Sequence, residues 1–227
     1  MIFDLFRDGI SYVTIVKLGI RLMIILLFLP VHEYAHGYVA YKLGDRTAKN
    51  MGRLTLNPIA HVDPIGLLLS VLTGFGYAKA VPVNMLNFRR EHRKRNMALV
   101  ALAGPASNIA LATVFMLAYY MSVYLGNATE GSFAGNLAIV CSVAASCNVT
   151  LAVFNLLPVP PLDGSRILNV VLPDRYYYKI MQYERYIGLA FIVLILTGSL
   201  DWVISGLSDV LLTAIEFVVS LPFIFIS

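Results

Sequence analysis

The sequence predicts an all-α polytopic membrane protein, with about five to six membrane helices and a small re-entrant or β element on the cytoplasmic side. Three observations predict it. Hydrophobic residues make up 59% of the chain and charged residues 13%, against about half and about a quarter in soluble domains. Long stretches such as Met97 to Leu125 and Ala134 to Leu157 carry no charge at all. Lys and Arg are also segregated, with four between Lys42 and Arg53, six between Lys79 and Arg95, four between Arg166 and Arg185, and none between Asn96 and Ser165. By the positive-inside rule those three basic segments face the cytoplasm. The net charge of +4 is therefore a topology signal, and no nucleic-acid partner is expected.

The 227 residues have room for several spans and short connections but not for a further folded domain of ~100 residues, so 1–227 is expected to be a single membrane domain. The first residues, with Asp4, Arg7, Asp8, Lys17 and Arg21 scattered among them, lack the layout of a removed signal peptide. The chain is expected to start near Met1.

The first long helix is read from Ile10 to Leu43, with Pro30 as a site for a kink. Asp45 to Asn96 is polar and rich in Gly and Pro, and Asn57-Pro58, Asp63-Pro64-Ile65-Gly66 and Gly74-Phe75-Gly76 read as turns. Leu67 to Leu72 is too short to span and reads as re-entrant or interfacial. Tyr77 to Asn84 looks extended, and Pro82 suits an edge strand. Met97 to Leu125 then spans outward, Gly126 to Ser132 forms a short outer loop, and Ala134 to Leu157 returns. Gly104, Ala106 and Ser107, like Ala144, Ala145 and Ser146, are the small residues that close helix contact in lipid calls for. Pro158, Pro160 and Pro161 forbid a continuing helix. Tyr176, Tyr177, Tyr178, Tyr183 and Tyr186, mixed with Lys and Arg, read as an interfacial belt. Tyr186 to Leu200 and Trp202 to Ile226 close the chain. Asp209 and Glu216 share one face of the last stretch, which is expected to pack that face inward or to lie partly in the interface.

The chemistry centres on His32-Glu33-Tyr34-Ala35-His36. On a helix, positions i and i+4 share a face, so both imidazoles can reach one zinc ion with Glu33 beside them. A hydrolytic zinc normally takes three protein ligands and leaves a fourth position for water. Asp163 is the best candidate for the third ligand. It lies beyond the longest uncharged region, on the same expected face of the membrane, and Gly164 after it permits a tight turn. Alone it would read as a loop aspartate. A zinc held by two neutral imidazoles and one carboxylate keeps a net positive charge and acidifies water to a pKa near ~7. Glu33 would take that proton and deliver it to the leaving amine.

Asn155 has two readings, a donor to the developing oxyanion or an interhelical hydrogen bond. The same two apply to Asn148, one heptad earlier. Asn108 reads as structural. His61 as an extra ligand would close the site, so a turn or gating role fits it better. His92 sits among Arg89, Arg90, Arg93, Lys94 and Arg95, a solvated basic loop near anionic headgroups. Cys141 and Cys147, six apart in an uncharged stretch, read as small buried apolar residues. The segment holding Val81, Val83 and Asn84 could bind an unwound substrate by strand addition.

Four motifs in order, HEYAH, NPIAHVDPIG (Asn57 to Gly66), GPASN (Gly104 to Asn108) and NLLPVPPLDG (Asn155 to Gly164), resemble the site-2 protease family of intramembrane zinc metalloproteases. The similarity covers roughly Leu22 to Val171, which sets the motif-bearing core at about 22–171 and leaves C-terminal accessory helices at about 186–226. The resemblance implies that His32, His36 and Asp163 hold one zinc ion per chain, that Glu33 is the catalytic base, and that Asn155 positions substrate or stabilises the transition state. It implies cleavage of transmembrane segments of membrane-anchored proteins, commonly transcriptional regulators or anti-sigma factors; a prokaryotic inner membrane is expected, with the site toward the cytoplasm because the HEYAH end of its helix approaches the basic segment from Lys42. A compact form is expected, without PDZ-like or CBS-like domains and without the extra N-terminal span of some relatives, with the N-terminus outside.

Two other readings of the same residues are a transporter or channel whose buried His, Asp and Asn bind an ion in transit, and a catalytically silent relative that binds membrane partners. Zinc content and cleavage, compared between wild type and a Glu33 variant, separate the three.

Overall fold

A computed structural model describes residues 19, 24–64, 66, 79–126, 128–129 and 131–225. Among these residues the chain is helical and forms no sheet. A π-helical turn, Ile24–Phe28, leads into α1, Leu29–Lys42, with Pro30 in its first turn. Proline has no N–H to donate to the residue four back, so the regular ladder restarts there, and the expected irregularity takes the form of this π turn. The short helix α2, Thr47–Asn50, follows. The 3-10 turns Pro58–Ala60 and Met85–Asn87 come next, each started by an Asn side chain that accepts a main-chain N–H two residues on, Asn57 from Ile59 at 3.1 Å and Asn84 from Leu86 at 3.0 Å. Asparagine does this readily, which is why it marks turns in sequence.

The long helices are α3, Arg93–Tyr124, and α4, Phe133–Leu156. Then come α5, Asp163–Val171, α6, Asp174–Gln182, α7, Glu184–Leu196, and α8, Asp201–Ser220, which runs on into the 3-10 turn Leu221–Phe225. Three of the described helices are long and apolar enough to cross a membrane, within Arg90–Tyr124, Phe133–Leu156 and Asp201–Phe223. The last apolar pair divides unequally: α7 has 13 residues, about 20 Å at ~1.5 Å each, too short for a core of ~30 Å.

Two expectations change here. Residues 79–84 are extended but form no strand, because their amides bond to side chains and a turn rather than to a neighbouring strand. The acidic face of the last helix does not pack inward: the buried stripe of α8 is Ile204, Ser208, Ile215 and Val219, and Asp209 and Glu216 lie exposed beside it. Glu216 accepts a hydrogen bond from the Tyr120 hydroxyl at 3.0 Å. The re-entrant segment expected at Leu67 to Leu72, Tyr77 and Ala78 of the extended segment, and the start of the first helix before residue 19 lie outside the described residues.

The contacts divide the chain into two compact units, Met1–Gly104 with Asn169–Val171, and Pro105–Leu168 with Leu172–Ser227. The first has a small apolar core of Ala40, Phe88, Met97 and Val100, with Val39, Leu43, Val83 and Met85 packed around it. The second is built on Ala112 and Met116 of α3, Ala145, Val149 and Val153 of α4, and Ile215 and Val219 of α8. Alanines at the crossings let the backbones approach closely, which is what holds helices together where lipid is as apolar as leucine. Tyr120 and Tyr124 meet Glu216 and Phe223, so the C-terminal ends of α3 and α8 lie together and these two helices run parallel.

Candidate metal centre

The spacing of His32 and His36 on α1 does what helix geometry requires. Their Nε2 atoms approach to 3.0 Å, and the rings stand edge to face with centroids 4.7 Å apart. Both side chains are buried. His36 Nδ1 lies 2.6 Å from the Val100 carbonyl oxygen of α3. A carbonyl only accepts, so Nδ1 carries the proton and Nε2 presents a lone pair, the arrangement that fixes the tautomer of a metal-binding histidine.

These residues fit a zinc ion. Two nitrogens ~2.1 Å from a tetrahedral zinc stand roughly 3.4 Å apart, and the two Nε2 atoms come within a few tenths of that separation. A second observation points the same way. A Cβ placed on Gly104 would lie 2.3 Å from His36 Nε2 and 2.6 Å from His32 Nε2, so the donor atoms face a stretch of α3 where only a hydrogen atom fits. The glycine of GPASN is thus a cradle for the histidine pair, and its conformational freedom is secondary.

Glu33 is also buried, and its Oε2 accepts the Val81 main-chain N–H at 2.8 Å. The extended segment from Lys79 to Asn84 forms a strap over α1. Gly37 makes room for it: a Cβ there would meet Val81 Cγ1 at 3.1 Å. At one end the strap is fixed by the Lys79 N–H to the His61 carbonyl at 2.8 Å and by Arg53, which donates to the Lys79 carbonyl at 2.6 Å. At the other end Asp45 accepts the Asn84 N–H at 2.7 Å and the Asn87 side-chain amide at 2.7 Å.

His61 is 2% exposed and donates from Nε2 to the Thr55 carbonyl at 2.8 Å, so it ties the NPIAH turn together. His92 is exposed in the 3-10 turn Arg90–His92. Cys141 and Cys147 form no disulfide.

The other candidate residues lie in the second unit. Asp163 is the first residue of α5 and is half-buried. The proline-rich stretch before it ends α4, and a Cβ on Gly164 would sit 2.3 Å from the Leu156 carbonyl, so the start of α5 lies tight against the end of α4. Asn155 is half-buried and donates its side-chain amide to Leu151 O, one turn back, at 2.9 Å. Asn148 does the same to Ala144 O at 2.9 Å and is fully buried.

Sequence reasoning passed over Asp45 and Arg53. Asp45-Arg46-Thr47 has the look of an aspartate starting a short helix, a local signal that hides the reach of the carboxylate to residues about forty positions away.

The family model of peptidase family M50 matches residues 20–196. YwhC of Bacillus subtilis, whose name gives zinc metalloprotease as a provisional description, is 42% identical over 193 residues, covering 84% of this chain and 86% of its own. Rip2 of Mycolicibacterium smegmatis, described in the same provisional terms, is 29% identical over 191 residues, 81% of this chain and 70% of its own. Rip2 of Mycobacterium tuberculosis is 28% identical over the same shares. No solved structure matches the chain. With its histidine pair, its buried glutamate and a match over most of its length, the chain belongs to peptidase family M50, the site-2 protease family of zinc metalloproteases.

Proposed function

We propose that this protein is an intramembrane zinc endopeptidase that hydrolyses peptide bonds in or near transmembrane segments of membrane-anchored proteins. The observation that carries the reading is the pair of Nε2 atoms 3.0 Å apart on the helix that also carries buried Glu33, in a chain whose described residues include three apolar helices of spanning length. Burying ionisable groups in such a chain is costly, and groups found there pair or bind something.

His32, His36 and Asp163 would hold the ion, one per chain. Zinc, when bound, supplies Lewis-acid activation of water and of the scissile carbonyl. Glu33 holds the proton taken from water and returns it to the leaving amine. The Val81 N–H occupies one of its two oxygens and so turns the carboxylate without consuming it. Asn155 has a second amide hydrogen beyond the one given to Leu151, and that hydrogen is the one proposed to meet the substrate carbonyl or its oxyanion. Asn148, fully buried, would support the same helix face from within.

Val81, Val83 and Asn84 are proposed to receive an unwound substrate. The amides of Val81 and Asn84 are already engaged, so pairing would run through the remaining main-chain groups of the strap, those of Val83 among them. The basic segments place this side at the cytoplasm by the positive-inside rule, with the bilayer of a prokaryotic inner membrane around the helices. The substrate proposed is a single-span regulator or anti-sigma factor.

The test compares wild type, Glu33→Gln and Asp163→Ala. Wild type and Glu33→Gln are expected to hold about one zinc per chain, Asp163→Ala much less, and only wild type is expected to cut a reporter-tagged single-span protein. Cleavage by Glu33→Gln at the wild-type rate overturns the mechanism. Vectorial zinc flux through reconstituted vesicles would point instead to a transporter.

A further inference from the structure

The strap raises a question that the metal chemistry does not: why a carboxylate outside the proposed metal ligands and base should be buried beside it. Asp45 is 1% exposed. Its Oδ1 accepts the Thr47 N–H at 3.0 Å, the Thr47 hydroxyl, and the Asn87 side-chain amide at 2.7 Å, while Oδ2 accepts the Asn84 N–H at 2.7 Å. An ionised carboxylate has about four acceptor sites, and donors engage both oxygens here, three on Oδ1 and one on Oδ2. Asp45 is therefore held by the protein's own donors. Two of the donors are local and form the Asp-Thr start of α2. The other two come from 39 and 42 residues away, and a helix cap does not need them.

Their effect is to lock the C-terminal end of the strap to the end of α1. The N-terminal end is locked by the His61 carbonyl and by Arg53, and Val81, in the middle, is seated over Gly37. With both ends held, the Val81 N–H is fixed 2.8 Å from Glu33 Oε2.

We propose that Asp45 is a positioning residue for Glu33, acting through the strap: it fastens Asn84 and Asn87 so that the Val81 N–H orients the Glu33 carboxylate. This rests on Glu33 being the base of the proposed reaction. Asp45 is not among the residues proposed to hold the metal or the substrate, and its influence runs through about four residues of extended backbone.

The test uses the full-length protein in detergent, with a fluorogenic single-span peptide chosen from a library by cleavage with the wild type. The variants are Asp45→Ala, the milder Asn87→Ala, Glu33→Gln and the double variant Asp45→Ala/Glu33→Gln. Asp45→Ala is expected to keep the wild-type zinc content and to lose about 10- to 100-fold in kcat, as a misplaced catalytic group does. Asn87→Ala, which removes one donor of four, is expected to lose a few-fold. A residue acting through Glu33 has nothing left to act on once the base is gone, so Asp45→Ala is expected to change the residual rate of Glu33→Gln by less than about twofold.

Further loss in the double variant, or loss of zinc in Asp45→Ala and Asn87→Ala, overturns the proposal by assigning Asp45 to the general fold. A wild-type rate in both variants also overturns it. If the wild type cuts no peptide at all, the endopeptidase reading falls, and the strap is decided by hydrogen exchange. The Val81 amide exchanging about tenfold or more faster in Asp45→Ala supports the lock, and unchanged exchange removes it.

Discussion

Glu33 and Asp45 are both buried carboxylates, and the same strap touches both, yet they are treated in opposite ways. Asp45 accepts from four donors, which engage both of its oxygens. Among the described residues Glu33 accepts one hydrogen bond, from Val81. A carboxylate held by donors on both oxygens acts as a fastening. One with an oxygen left open in a buried site, as proposed for Glu33, can serve as a reagent by taking a proton from water. Which of two acidic residues does chemistry is thus read from the donors around it rather than from its burial.

The largest effect expected from breaking this comparison is at the reagent. Glu33→Gln keeps the Val81 hydrogen bond and the shape of the side chain but cannot accept a proton, so cleavage is expected to fall by about 10²–10⁴-fold with zinc content unchanged. Metal analysis beside a turnover assay checks both halves. Next comes the cradle. Gly104→Ala would put a methyl group 2.3 Å from His36 Nε2, and the histidine pair or α3 must move. A loss of about 10- to 100-fold in zinc affinity is expected, readable by competition with a chromogenic chelator; wild-type affinity would show that Gly104 does not face the metal.

Removing the fastening costs more stability than removing the reagent. Asp45→Ala leaves the Thr47, Asn84 and Asn87 donors without their acceptor, which is expected to cost about 1–3 kcal/mol, measurable as a lower thermal midpoint in detergent. Glu33→Gln, which keeps the Val81 hydrogen bond, is expected to lower that midpoint less. Equal destabilisation by both would erase the distinction.

The smallest effect is in pH. Burial pushes the Asp45 carboxyl upward, but the hydrogen bonds from Thr47, Asn87 and Asn84 outweigh it and hold the group below the ordinary aspartate range. A depressed folded value means that the contribution to stability is complete above the unfolded value of ~3.9 and is lost as the pH falls through the lower folded one. Exchange of the Asn84 amide is therefore expected to be flat from pH 7 to about 4, after correction for intrinsic exchange, and to quicken below that. In Asp45→Asn this acid step should vanish.

Much of the architecture was legible because its signals are local or periodic. Uncharged runs gave α3 and α4 to within a few residues, as the cost of a charge in lipid marks their ends. Pro158, Pro160 and Pro161 marked the end of α4 because proline has no N–H to offer. The strap was harder. Val81, Pro82 and Val83 suggested an edge strand, and β-branched residues beside a proline fit an extended chain equally well whether its partner is a strand or a set of side chains. In the last helix, spacing gave Asp209 and Glu216 a common face but not which face was buried. That was decided by Ile204, Ser208, Ile215 and Val219 packing as a stripe.

The sequence by itself determined the proposed reagents. HEYAH on a helix fixes two imidazoles on one face whatever surrounds it, since 3.6 residues per turn is a property of the backbone, and four motifs in order mark the family. Only the tertiary structure decided how those reagents are held. Val100 meets His36 through a carbonyl, Val81 meets Glu33 through an N–H, and Asn84 meets Asp45 through another. Nearly every residue carries those main-chain groups, so no residue type announces them. Folding alone selects which amide, about forty to sixty positions away in the chain, meets which side chain.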